Sequence, residues 1–224
     1  MNLFPINLNL RGQTAFIIGG GGVAERKCRS LLDAGAVVRV IAPAITPCLA
    51  ELALRGSITH LHRPYEPGAM AGAALVFAAT DDRAVNRAAA EEAQRLGIPV
   101  CVVDEPAEGT FTSPSTVRRG DLLITISTGG RSPALARRIR EELEDRYGPE
   151  YADIVDILGA FREKLLTEHR GSAYNKQLFN ELLDRCLPRL LSSGAAGDRD
   201  RLLRELSGLE VEPERLAEDT EELS

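Results

Sequence analysis

The feature that most constrains this chain is the run Thr14-Ala-Phe-Ile-Ile18, followed at once by Gly19-Gly-Gly-Gly22 and then by VAERKCRSLLDAG. A short apolar, β-rich run, a glycine turn and an amphipathic run closed by Gly35 predict a strand, a tight turn and a helix. Val37-Val-Arg-Val-Ile41 predicts a second strand. The chain therefore opens with a βαβ unit, for which a right-handed crossover and parallel pairing are expected. Residues Gly19 to Ala24 also satisfy the pattern G-x-G-x-x-A. In that pattern Gly19 makes the turn, Gly21 lets backbone approach a pyrophosphate, and Ala24 permits close helix packing. Amides of the first helical turn, at Gly22 and Val23, then face the phosphates. The motif alone is weak, but its place between a predicted strand and a predicted helix makes dinucleotide binding the favoured reading over a glycine turn kept for packing.

One part of that pattern is missing. The second strand should end in an acid that accepts the ribose hydroxyls, and here the chain reads Ile41-Ala42-Pro43-Ala44. Backbone at Pro43 and Ala44 is expected to stand in, and these residues do not choose between NAD and NADP. Arg39 could meet a 2′-phosphate, although a solvated strand arginine is the favoured reading. In Ala79-Thr80-Asp81-Asp82, Thr80 and Asp81 are expected to line the cofactor crevice at the carboxyl edge of the sheet. An aspartate cap on the helix that follows is an equally good and compatible reading.

The alternation continues with a helix at Pro47–Arg55, strands at Ile58–His62 and Ala74–Ala78, a helix at Arg83–Leu96 and a strand at Val100–Val103. It predicts an α/β fold with a Rossmann-type doubly wound parallel sheet. Beyond Pro114, a strand at Leu122–Ile126, the pair Gly129-Gly130 and a helix starting at Ser132-Pro133 predict a small α+β element. Ile154, Ile157, Leu158, Phe161, Leu165 and Leu166 recur at helical spacing, and Tyr174 to Leu190 repeats the trend. A small-residue linker, Ser192 to Gly197, then leads into a charged, acidic tail. The expected division is 1–113 for the nucleotide domain, 114–147 for the central element and 148–224 for a helical C-terminal domain.

Of the 224 residues, 44% are apolar and 27% charged, which suits a core-forming globular chain. No run is apolar enough to span a bilayer, and MNLFPINLNLRG lacks the features of a signal peptide, so cytoplasmic localisation without a membrane partner is expected. Cys28, Cys48, Cys101 and Cys186 lack CxxC spacing and read as core or surface residues. His60 and His62 share a strand face, but no acid or cysteine completes a ligand set; His169 is weaker still, and no metal site is expected. A net charge of −6 argues against a nucleic-acid partner. Between Phe111 and Arg140, however, Arg118, Arg119, Arg131, Arg137, Arg138 and Arg140 face only Asp121, which suggests a basic surface for an anionic ligand.

Four blocks in order now carry a family resemblance: Gly19-Gly-Gly-Gly-Val-Ala-Glu-Arg-Lys27, Ala78-Ala-Thr-Asp-Asp82, Val102-Val-Asp-Glu105 and Ser127-Thr-Gly-Gly-Arg-Ser-Pro-Ala-Leu-Ala136. The chain resembles the precorrin-2 dehydrogenases, the family of the sirohaem synthase N-terminal module and its stand-alone relatives. A generic dinucleotide-binding enzyme has no reason to carry the last block. The resemblance implies NAD as cofactor, oxidation of precorrin-2 to sirohydrochlorin, and a homodimer with intertwined central regions. In some members it also implies insertion of ferrous iron. It assigns the catalytic role to Asp104, read here as a partly buried carboxylate at a strand's carboxyl end that acts as general base. The polycarboxylate substrate would be met by Ser127, Thr128, Gly129, Arg131, Ser132, Arg118 and Arg137. Around Glu108-Gly109-Thr110 the chain departs from the family pattern. The rival reading is a regulatory module that senses a dinucleotide without chemistry.

Overall fold

The computed structural model of the chain describes residues 3–167 and residue 180. The chain divides into two compact units. Among the described residues, one is built from the chain up to Pro114 together with the loop Gly129–Ser132, the other from Ser115–Thr128 and the described chain after Ser132.

The first unit contains β1 (Thr14–Ile18), α1 (Gly22–Asp33), β2 (Val37–Ile41), α2 (Pro47–Leu54), β3 (Ile58–Leu61), β4 (Leu75–Ala78), α3 (Arg83–Arg95) and β5 (Val100–Val102). All five strands run parallel in the order β3-β2-β1-β4-β5. The expected doubly wound sheet is present because its central strands are apolar on both faces. Ala15 and Ile17 of β1 pack in a cluster with Ala24, Cys28 and Leu31 of α1 and Leu49 of α2. Phe16 and Ile18, pointing the other way, pack with Ala89, Ala90 and Ala93 of α3. A strand covered on both sides reads as a continuous apolar run rather than an alternating one, as Leu75-Val-Phe-Ala78 does.

In the second unit β6 (Ser115–Arg119) and β7 (Leu122–Ile126) form a two-stranded antiparallel sheet, followed by α4 (Pro133–Arg146) and α5 (Glu150–Thr167). β6 was not expected from sequence. Val117 is buried between exposed Thr116 and Arg118, the alternation of a half-covered strand. Arg119 and Leu122 pair across the two-residue connection Gly120-Asp121, where Gly120 has φ +56°. Ala136 of α4 and Ile154, Ile157 and Phe161 of α5 supply buried apolar side chains. Arg119 closes the C-terminal end of α4, its Nε donating to Tyr147 O at 2.8 Å and its Nη2 to Glu144 O at 3.2 Å. The helical trend at Tyr174–Leu190, the Ser192–Gly197 linker, the acidic tail, His169 and Cys186 lie outside the described residues. Among the described residues no helix is long and apolar enough to cross a membrane.

Candidate active site

Because the five strands are parallel, every loop after a strand's carboxyl end opens on one edge of the sheet. The chain moves outward from β1 to β2 and β3 on one side, and through β4 to β5 on the other. The strand order therefore reverses between β1 and β4, the place where such sheets hold nucleotides. Backbone hydrogen bonds extend the ladder past the strand ends: Gly19 N–H to Ile41 O at 2.9 Å, Ala79 N–H to Ile18 O at 2.8 Å and Val103 N–H to Ala78 O at 3.1 Å.

The four glycines of the turn fall into two kinds. Gly19 has φ +118°, and a Cβ there would stand 2.2 Å from Ala79 O; at Gly20 a Cβ would stand 2.0 Å from Ala44 O. Both are required by the protein's own backbone. At Gly21 and Gly22 nothing lies within 4 Å of an added Cβ. The chain itself therefore has no packing reason for glycine at either position, whereas a pyrophosphate brought against the backbone would have one. Gly21 is the N-cap of α1, and no side chain caps the helix. The first-turn amides, at Gly22 and Val23, are thus presented to an anion rather than to a capping oxygen. Ala24 is fully buried where α1 meets the sheet. These residues fit a dinucleotide.

The loop after β2 is tied to this turn. Thr46 N–H donates to Gly20 O at 2.9 Å. The Thr46 hydroxyl donates to Glu25 Oε2 at 2.8 Å and accepts from Leu49 N–H at 3.3 Å as the cap of α2. The Thr46 hydroxyl, with help from Cys48 and Arg29, holds the Glu25 carboxyl below its ordinary range. Pro43 and Ala44 are exposed beside the turn and offer backbone only. Arg39 is exposed mid-strand, with its guanidinium 5.8 Å from the Phe16 ring centroid.

The loop after β4 converges on a residue that sequence reasoning missed. Asn86, fully buried in α3, uses its whole amide. Oδ1 accepts from Thr80 N–H at 3.0 Å and Thr80 Oγ1 at 2.8 Å, while Nδ2 donates to Thr80 O at 3.0 Å and Asp104 Oδ1 at 2.9 Å. Capping falls to Asp82, whose carboxylate accepts from Ala84 and Val85 N–H, while Asp81 is exposed. Asp104 itself is exposed, not partly buried as expected, because β5 ends at Val102 and the chain turns outward through Val103. An asparagine among the alanines of an amphipathic helix was the available signal for Asn86. Its partner Asp104 is eighteen residues away.

The substrate-side candidates are less uniform. Ser127, Thr128, Gly129, Arg131 and Ser132 lie on the turn between β7 and α4, where Gly129 and Gly130 have φ +61° and +81°. The basic surface expected over residues 111–140 is largely compensated. Arg137 pairs with Glu141 at 2.9 Å, Arg138 with Glu142 at 3.1 Å and Arg140 with Glu144 at 2.5 Å, each one helical turn on. Arg119 is spent on the Glu144 and Tyr147 carbonyls at the end of α4, while Arg118 and Arg131 are exposed cations. His60 Nε2 lies 2.9 Å from Ala42 O, and among the described residues no three ligating side chains gather as a metal site would need.

Residues 6–115 match a family model described as "Putative NAD(P)-binding", and residues 119–146 match one for the central part of sirohaem biosynthesis proteins. The chain is 38% identical over 217 residues to a sirohaem synthase of Methylococcus capsulatus, covering 97% of this chain and 46% of that protein. It is 44% identical over 163 residues to one of Methylobacillus flagellatus, covering 73% and 35%. The chain thus spans less than half the length of these relatives. Among solved structures, "SirC, precorrin-2 dehydrogenase" shares the fold with a TM-score of 0.72 and 24% identity, over 92% of this chain and 99% of that one. With the nucleotide-binding and sirohaem central models matched in series, the chain is similar to the sirohaem synthases over nearly its whole length.

Proposed function

We propose that the chain oxidises precorrin-2 to sirohydrochlorin with NAD, Asp104 acting as general base. The observation that carries the reading is the convergence, on one sheet edge, of an open glycine turn and a carboxylate. Gly21 and Gly22 have no protein neighbour within 4 Å of an added Cβ, and Asp104 is held at the end of β5 with its carboxylate exposed. Bound NAD supplies a hydride acceptor. The chain's own residues do the rest. The first-turn amides of α1, at Gly22 and Val23, bind phosphate; Thr80 and Asp81 line the crevice; Pro43 and Ala44 contact the nucleoside through backbone. Asp104 takes the proton that the tetrapyrrole loses as the hydride departs. NAD is favoured over NADP because Arg39, the β2 cation that could meet a 2′-phosphate, lies mid-strand with its guanidinium against the Phe16 ring of β1.

Ser127, Thr128, Gly129, Arg131, Ser132, Arg118 and Arg137 are proposed to meet the substrate carboxylates, with Arg118 and Arg131 the least compensated. Ferrous iron is a proposed second substrate, since a base that accepts one proton during dehydrogenation could accept a pyrrole proton during metal entry. A cytoplasmic homodimer is proposed. A two-stranded sheet such as β6–β7 is seldom stable on its own. The alternate apolar residues Phe4, Ile6 and Leu8 before β1 are 85%, 63% and 49% exposed, which suits coverage by a second copy. The division at 1–113, 114–147 and 148–224 is kept as the functional partition. The test is Asp104→Asn under anaerobic conditions with precorrin-2 and NAD. Loss of turnover with NAD affinity retained is expected, and turnover at the wild-type rate would remove Asp104 from the mechanism.

A further inference from the structure

We infer that Asn86 is the positioning residue of this site: its amide sets the orientation of the Asp104 carboxylate and ties it to the cofactor-side loop at Thr80. The inference rests on the proposed role of Asp104. An asparagine in the first turns of a helix, with no exposed surface, would be a defect unless its amide were bonded. Here every hydrogen-bonding position of the amide is used, and the donor and acceptor ends are not interchangeable. The Thr80 N–H can only donate and the Thr80 carbonyl can only accept, so Oδ1 faces the first and Nδ2 the second. The remaining Nδ2 proton then points at Asp104 Oδ1, 2.9 Å away.

That geometry has two chemical consequences. A donor held on one carboxylate oxygen fixes the rotation of the carboxylate and leaves its second oxygen for the proton a base takes up. The same amide grips Thr80 through three hydrogen bonds, so a shift of the loop after β4 is transmitted to the carboxylate. The charged groups around Asp104 do not take over this role. Arg83 bridges Glu105 at 3.1 Å and Glu108 at 3.8 Å, Arg87 pairs with Glu108 at 2.7 Å, and the Asp82 carboxylate caps α3. Asp81 is exposed on the loop.

The test compares the full-length wild type with Asn86→Asp, Asn86→Ala and Asp104→Asn. Asn86→Asp keeps the shape and the acceptor facing Thr80 but sets a second carboxylate against Asp104. Two like charges this close raise the apparent pKa of the pair, so the acid limb of the pH profile of kcat/KM should move up by about one unit or more. Asn86→Ala should lower kcat at least tenfold with a smaller effect on the KM for precorrin-2. In the wild type, the Asn86 side-chain amide resonance should move with pH as Asp104 takes up a proton and stop doing so in Asp104→Asn. That signal needs neither an active variant nor a folded one at position 86. An unmoved acid limb in a folded Asn86→Asp, or an Asn86 amide signal indifferent to pH, overturns the inference while leaving Asp104 as base. Normal turnover by Asp104→Asn overturns the parent reading, and the inference with it.

Discussion

Substituting the first and third glycines of the turn should separate folding from binding. Gly19→Ala places a methyl group 2.2 Å from Ala79 O, against about 3.4 Å for ordinary contact, at a φ of +118°. The backbone strain is worth roughly 1–3 kcal/mol. Neither strand end can yield freely, because Gly19 N–H bonds Ile41 O and Ala79 N–H bonds Ile18 O. Overpacking of this kind costs roughly 1–3 kcal/mol more. The sum, about 2–6 kcal/mol, is a large share of a stability on the order of 5–15 kcal/mol. Gly21→Ala meets nothing within 4 Å and has φ −84°. It should cost no more than the ~1 kcal/mol of a poorer N-cap. Its methyl group nevertheless occupies the approach to the first-turn amides, so dinucleotide affinity should fall at least tenfold. Urea unfolding and an NADH fluorescence titration measure the two quantities. If Gly21→Ala unfolded as early as Gly19→Ala, or bound dinucleotide like the wild type, the division of the turn into a structural and a ligand-facing half would be wrong.

Arg119→Ala should lower the unfolding midpoint because Tyr147 O and Glu144 O lose their donors. Exposed Arg118→Ala should leave it unchanged and raise the KM for the tetrapyrrole, a contrast read by parallel melts and kinetics. Burial pushes the Cys28 thiol up to about 11 and also raises Cys101. Alkylation near neutral pH, mapped by mass spectrometry, should therefore mark half-buried Cys48 before either of them. Burial lowers the Lys27 ammonium, so the unfolded chain holds more protons than the folded one between the two pKa values. Stability should then rise with pH across that alkaline window. Lys27→Met should be more stable than the wild type at neutral pH, with the gap closing above the ordinary lysine range, as followed by unfolding midpoints against pH.

How much of this was legible in the sequence depended on how local each signal was. β1, the glycine turn and α1 follow one another directly, and the apolar strands of a doubly covered sheet need no partner to be recognised. β6 escaped notice because Arg118 and Arg119 look like surface charge. The two-residue Gly120-Asp121 connection between five-residue runs was a hairpin signal in plain view. The pairing of Arg138 with a glutamate one turn on follows from helical spacing, but that Arg137 and Arg140 are compensated in the same way depends on the side-chain rotamers of α4. Asp104 could be placed at a strand end by pattern. Its exposure and its bond to Asn86 depend on how α3 packs against the sheet, which no local pattern contains.

The most direct measurement is a single anaerobic incubation of the wild-type chain with precorrin-2 and NAD, following NADH and the sirohydrochlorin spectrum together. The account predicts NADH and sirohydrochlorin appearing in equal amounts. Dinucleotide binding without either product would contradict it and leave a module that senses the nucleotide without chemistry.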